Sequence, residues 1–202
     1  TLDVGDLPRR GDAMENLGVI ENGYVLVIDG KINQVQSGSP DEAVFEKSDE
    51  LVVIDAEGRV VMPTFVDCHT HTCWTGSRLN EFEASLRGVP YLDILAQGGG
   101  IMSTVKSVRE ATQEDLVTSL VGRIALMASL GTTVVEVKSG YGLTTKDELK
   151  MLRAIHDASQ EVPQLISGTF LGAHAIDPEI ENFTDLVIEE TLPAVADEFP
   201  NI

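Results

Sequence analysis

Apolar residues along this chain form two textures that meet near residue 60. Before that point, short β-prone runs are punctuated by tight-turn dipeptides. "YVLVI" (24–28), Asp29-Gly30 and "KINQVQ" (31–36) read as a β-hairpin, because Asp-Gly tolerates the positive φ that a two-residue turn demands. "LVVIDAEGRVVM" (51–62) repeats the theme with Glu57-Gly58 at the turn. Only residues 40–48 hint at a helical period. The pattern predicts a small β-rich unit over residues 1–60.

From residue 61 the texture alternates. "RVVMPTFVDCHTH" (59–71) is an apolar run ending in polar residues and reads as a buried strand. Helical spacing follows over 79–97 and again over 113–130, where Leu116, Leu120, Ile124 and Met127 recur every three or four positions. "GTTVVEVKSGYG" (131–142) has the β-branched character of a strand covered on both faces. Thr145 and Glu148 have capping-box spacing ahead of a helix over 146–160. "PQLISGTFLGAH" (163–174) is a further buried strand, and 184–199 looks helical until Pro193. Strand–helix alternation predicts an α/β fold with a parallel sheet. Each strand carries its reactive residues at its C-terminal end: His69 and His71, then Lys138 and Tyr141, then His174. That is where (β/α)8 barrels keep their active sites. About three such units fit in residues 61–202, against eight in a closed barrel, so an incomplete barrel is expected.

Composition narrows the function. With 14 basic and 33 acidic residues the formal charge is −19, and no Lys/Arg cluster offers a phosphate-binding face, so nucleic acid is not an expected partner. The acids are dispersed, as in proteins kept soluble at high salt or in ordinary acidic cytosolic proteins. No apolar stretch is long enough to span a bilayer, and residues 1–18 lack the apolar core of a signal peptide, which makes a cytoplasmic location the expectation. Cys68 and Cys73 do not make a disulfide framework. Both flank the histidines, but Cys68 points away from the face that His69 and His71 share on an extended segment, so a buried thiol is the plainer reading than a zinc ligand.

His69 and His71 occupy positions i and i+2 of an extended segment, so both imidazoles project to one side, where they can grip a single Zn²⁺ or iron ion. "QGGGIMSTV" (97–105) lacks the G-K-[ST] ending of a phosphate loop and reads as a flexible loop shaping the mouth of the site. Lys138 suits a structural or supporting role at its strand end, Trp74 either walls the pocket or packs at the rim, and His156 falls on a helix away from strand ends.

"VIDAEGRVVMPTFVDCHTH" (53–71) resembles the opening signature of the amidohydrolase superfamily, metal-dependent hydrolases built on a (β/α)8 TIM barrel with a small β-sandwich. "HTHTCWTGSRLNEFE", "YLDILAQGGGIMSTV", "GTTVVEVKSGYGLTTKDELKMLR" and "TFLGAHAIDPE" are similar, within that superfamily, to the imidazolonepropionase family over about residues 15–180. Thr64 departs from the glycine usual after this proline. The resemblance implies hydrolytic ring opening of 4-imidazolone-5-propanoate to N-formimidoyl-L-glutamate in histidine degradation. It implies one divalent metal, Zn²⁺ or iron, held in part by His69 and His71, and substrate contacts from Arg78, Tyr141 and His174. A guanidinium fork suits the propanoate carboxylate. The family's glutamate base and its remaining histidine and aspartate ligands lie on later strands. No catalytic residue is therefore assigned within the chain, and the 202 residues alone are expected to bind metal weakly and not to turn over. Residues 1–60 would form part of a composite β-sandwich and 61–202 the first part of the barrel. The expected partner is the small-molecule substrate, with a homodimer allowed for and no membrane or nucleic acid. Another cyclic amidase or deaminase of the superfamily, or a non-catalytic half-barrel binding module, remain alternatives.

Overall fold

The computed structural model describes residues 9–41 and 51–202, in two compact units, Thr1–Pro63 and Thr64–Ile202. The helical hint at 40–48 lies almost wholly outside the described residues.

In the first unit, a short 3-10 helix (Gly11–Glu15) precedes an antiparallel hairpin of β1 (Gly23–Ile28) and β2 (Lys31–Ser37). Asp29 and Gly30 have φ of 51° and 73°, the left-handed pair that matches strand twist in a two-residue turn. The second predicted β-segment forms only its turn. Glu57 and Gly58 have φ of 51° and 76°, and the Arg59 amide donates to the Ala56 carbonyl at 2.8 Å, but no strand flanks them. Ile54 and Val60 are exposed. A β-prone run becomes a strand only beside a ladder partner, and none lies alongside among the described residues.

The second unit is mixed α/β around a parallel sheet ordered β3 (Phe65–Thr70), β4 (Thr132–Lys138), β5 (Leu165–Thr169). The strand expected from residue 59 starts only after Pro63, which has no N–H to give a ladder. Strands β3 and β5 are the sheet's edges among the described residues, so Phe65, Val66 and Leu165 are exposed where buried strands were expected. Central β4 buries Val135 and Val137 as foreseen.

Between β3 and β4 run α1 (Leu79–Leu86), α2 (Tyr91–Ala96), α3 (Ile101–Glu110) and α4 (Gln113–Ser129). Helix α5 (Thr145–Glu161) crosses from β4 to β5. Leu116, Leu120 and Ile124 of α4 meet Met151, Leu152 and Ile155 of α5 over β4, in the main core cluster. Burial of each such side chain contributes roughly 1.5–3 kcal/mol. Met127 is only partly buried at its margin.

Two helix starts differ from expectation. Helix α5 is capped by Thr144, whose Oγ1 accepts from the Asp147 amide at 3.1 Å, so Thr145 is already helical and Glu148 is released for another task. The full capping box belongs to Thr112 and Asp115 on α4. At the end of the chain, Phe183–Leu186 (α6), a π turn (Val187–Thr191) and Leu192–Glu198 (α7) follow without a break. Pro193 therefore does not stop the helix. It lies just after the π turn, a local widening of the helix beside the residue that lacks an N–H.

Candidate active site

Three strand ends of the parallel sheet converge on four aromatic rings. His69 lies in β3 and His71 directly after it, and the threonine between them is tied down. Thr70 Oγ1 donates to the Glu136 carbonyl of β4 at 2.5 Å and lies 2.9 Å from Thr72 Oγ1. Anchoring Thr70 to β4 throws the two flanking imidazoles to the opposite side. Their ring centres are 5.7 Å apart. His71 stacks on His174 at 4.6 Å and meets Tyr141 at 5.7 Å, and Tyr141 and His174 are 5.7 Å apart. His71 Nδ1 is buried without a hydrogen-bond partner. Burial holds this imidazole below its ordinary pKa, and His174, His69 and Lys138 push the same way. The ring is thereby kept neutral, with a lone pair to offer.

Tyr141 is delivered by a loop that has no regular structure but is heavily tied. The buried Glu148 carboxylate accepts from the amides of Gly140 at 3.0 Å, Gly142 at 2.8 Å and Leu143 at 2.9 Å. From the other side, Arg109 Nε donates to the Gly142 carbonyl at 2.8 Å, while its Nη2 reaches Asp177 at 2.7 Å. Ser139 Oγ accepts from the Leu171 amide at 3.0 Å, joining this loop to the one that carries His174. Gly142 has no room for a side chain, since a Cβ there would lie 2.5 Å from the backbone of Asp147 and Glu148. Burial raises the Tyr141 phenol above its ordinary pKa.

Arg78 stands just before α1. Its Nε and Nη2 both donate to Glu81 Oε2, at 2.9 and 2.7 Å, and the same oxygen accepts from the Gly100 amide at 3.0 Å. Arg78 and Tyr141 both line a cleft of about 230 Å³, together with Trp74, Thr75, Ser103, Thr104 and Ser107. The segment from His71 to Arg78 is pinned by Arg123 of α4, which donates to the Thr72 and Trp74 carbonyls at 2.9 and 2.7 Å and lies 3.6 Å over the Trp74 ring. Trp74 therefore walls the cleft.

Glu81, Arg109, Arg123 and Glu136 were not singled out from sequence, and Glu148 only as a capping-box partner. Glu136 receives Lys138 Nζ and, at 2.8 Å, Thr169 Oγ1, which settles Lys138 in an ion pair. The expectation of a buried Cys68 is corrected. Cys68 is exposed because edge strand β3 leaves that face open, while Cys73 is buried and its thiol is pushed up to about 12. The glycine run is not a flexible loop throughout, since Ile101 already opens α3. His156 is exposed on α5, and Thr64 Oγ1 lies 2.5 Å from Thr133 Oγ1, joining the start of β3 to β4.

Residues 52–90 match the amidohydrolase family. Over nearly its whole length the chain aligns with curated proteins of one name. It is 44% identical to the imidazolonepropionase of Alkaliphilus oremlandii over 96% of this chain and 47% of that protein. It is 47% identical to that of Symbiobacterium thermophilum, over 95% of the chain and 46% of the relative. With that of Halobacterium salinarum it shares 44% identity, over 92% and 44% respectively.

The chain is similar in sequence to the imidazolonepropionases. It spans about half the length of the curated relatives it matches. The imidazolonepropionase resemblance directs attention to metal binding, and the donor set offers a test. Two imidazoles sharing one ion at ~2.1 Å place their ring centres roughly 5 Å apart, close to the His69–His71 separation. The partnerless His71 Nδ1 and its neutral ring fit the same role. The pair fits a divalent ion as two of its ligands, and among the described residues no group of three or more His, Cys, Asp or Glu completes a set. Also among the described residues, no helix is long and apolar enough to cross a membrane.

Proposed function

We propose that this chain carries part of the active site of an imidazolonepropionase, which opens the ring of 4-imidazolone-5-propanoate with water to give N-formimidoyl-L-glutamate. The observation that supports this reading most is the convergence of His69, His71, Tyr141 and His174 at the C-terminal end of the parallel sheet, beside a cleft lined by Arg78. In the complete protein the sheet would continue into a (β/α)8 barrel, with residues 61–202 as its first strands and helices and 1–60 as part of a composite β-sandwich.

His69 and His71 would hold one divalent ion, zinc or iron. When bound, such an ion acidifies water and polarises a ring carbonyl. The chain's own residues bind and orient. Arg78 pairs with the propanoate carboxylate, a planar fork against a planar acceptor. Tyr141, on its clamped loop, offers a phenol that burial keeps protonated, and so a hydrogen-bond donor to the ring. His174, stacked on His71, contacts the substrate. The general base and the remaining metal ligands would come from later strands, so the 202 residues alone bind metal weakly and do not turn over. The substrate is the expected partner, in a cytoplasmic enzyme without nucleic acid or membrane, and a homodimer suits the complete protein.

The test is substrate choice. The protein encoded by the complete gene is assayed against imidazolone propanoate and against dihydroorotate. Ring opening of the first alone supports the reading, activity on the second alone points to another cyclic amidase, and inertness towards both favours a binding module.

A further inference from the structure

The Arg78 guanidinium is not free to swing. Its Nε–Nη2 edge is held by one oxygen of Glu81, and that oxygen also accepts the Gly100 amide at the start of α3. Glu81 thereby joins the two walls of the cleft: the segment ending at Arg78, and helix α3, which contributes Ser103, Thr104 and Ser107. The approach is close. A Cβ on Gly99 would sit 3.1 Å from the Glu81 carboxyl carbon and 2.7 Å from Ile94, so glycine there is what lets the carboxylate reach both partners. Glu81 is well covered, whereas Arg78 remains partly open on its cleft side. A guanidinium presents five N–H groups, and engagement of one edge leaves the Nη1 end for a planar acceptor in the cleft.

We propose that Glu81 is a positioning residue that orients Arg78 for recognition of the substrate's carboxylate tail. The inference rests on the reading of Arg78 as the carboxylate's partner.

The experiment uses the protein encoded by the complete gene, with two substrates: imidazolone propanoate and its primary amide, which lacks the charge. Wild type should favour the acid, and Arg78→Ala should abolish that preference. Glu81→Gln keeps the size of the side chain but removes the charge that holds Nε and Nη2. It should raise KM for the acid roughly tenfold, the worth of one charge-assisted hydrogen bond, with kcat changed less than twofold and the amide unaffected. A merely structural role would penalise acid and amide alike, and that result would overturn the proposal. Equal use of acid and amide by wild type would instead remove the premise about Arg78, a separate failure. If Glu81→Gln unfolds, Glu81→Asp, which retains the charge but shortens the reach to Gly100, is read by the same acid-to-amide ratio. An unchanged ratio there also counts against the proposal.

Discussion

Replacing Glu148 with Gln tests how the Tyr141 loop is held. In the native loop, Oε1 accepts from Gly142 and Leu143 and Oε2 from Gly140. A glutamine can keep its oxygen on the first pair. Its NH2 then faces the Gly140 N–H, donor against donor, inside the protein. One buried donor left unpaired costs ~1–3 kcal/mol, and the remaining bonds lose their charge assistance, so the total is about 2–4 kcal/mol. At ~2–4 °C per kcal/mol for a protein of this size, the melting temperature should fall by roughly 5–15 °C. Circular dichroism reads the unfolding, and amide exchange at Gly140, Gly142 and Leu143 locates it, with exchange rising at those three positions first. A melting temperature within ~1 °C of wild type, with exchange unchanged there, would refute the view that this carboxylate takes the place of secondary structure.

Gly142→Ala should destabilise by at least ~2 kcal/mol, since its Cβ would press on the backbone of Asp147 and Glu148 at 2.5 Å, and a urea titration would show it. Arg123→Met removes two carbonyl hydrogen bonds and the cation–π contact, which should cost ~2 kcal/mol and red-shift the emission of Trp74. Thiol titration of the native protein at pH 8 should count one reactive cysteine, Cys68, and two after denaturation, because burial holds the Cys73 thiol at about 12. Burial pushes the Asp177 carboxyl up, but the Glu179 amide and the Arg109 guanidinium outweigh it and hold the pKa below the ordinary value. The stabilisation is thus fully present above the unfolded pKa of ~3.9 and is lost as pH falls through the folded one, so Asp177→Asn should flatten the stability profile below pH ~4.

Periodicity made the α/β alternation legible. The Leu116–Leu120–Ile124 stripe and the β-branched run of β4 bury what they promised, because side-chain spacing and burial are one and the same local signal. The H-x-H pair and the strand-end positions of Tyr141 and His174 were legible for the same reason. The side chains that hold them were not. Glu148 reads in sequence as a capping-box partner, and only the one-residue shift of the cap to Thr144 frees it to bind the loop. Arg109 and Arg123 reach across from neighbouring helices over more than thirty positions, a separation no local pattern encodes. The run 51–62 fails as a hairpin because its pairing depends on a neighbour rather than on its own residues.

In the proposed reading, His69 and His71 hold an ion at the place where the imidazolone ring is opened. The most direct measurement determines metal content and ring opening on one preparation of the protein encoded by the complete gene, alongside a folded His71→Asn variant. One divalent ion per chain is expected in the wild type, with both ion and ring opening lost in the variant. A variant that keeps its ion, or that opens the ring without one, would contradict it.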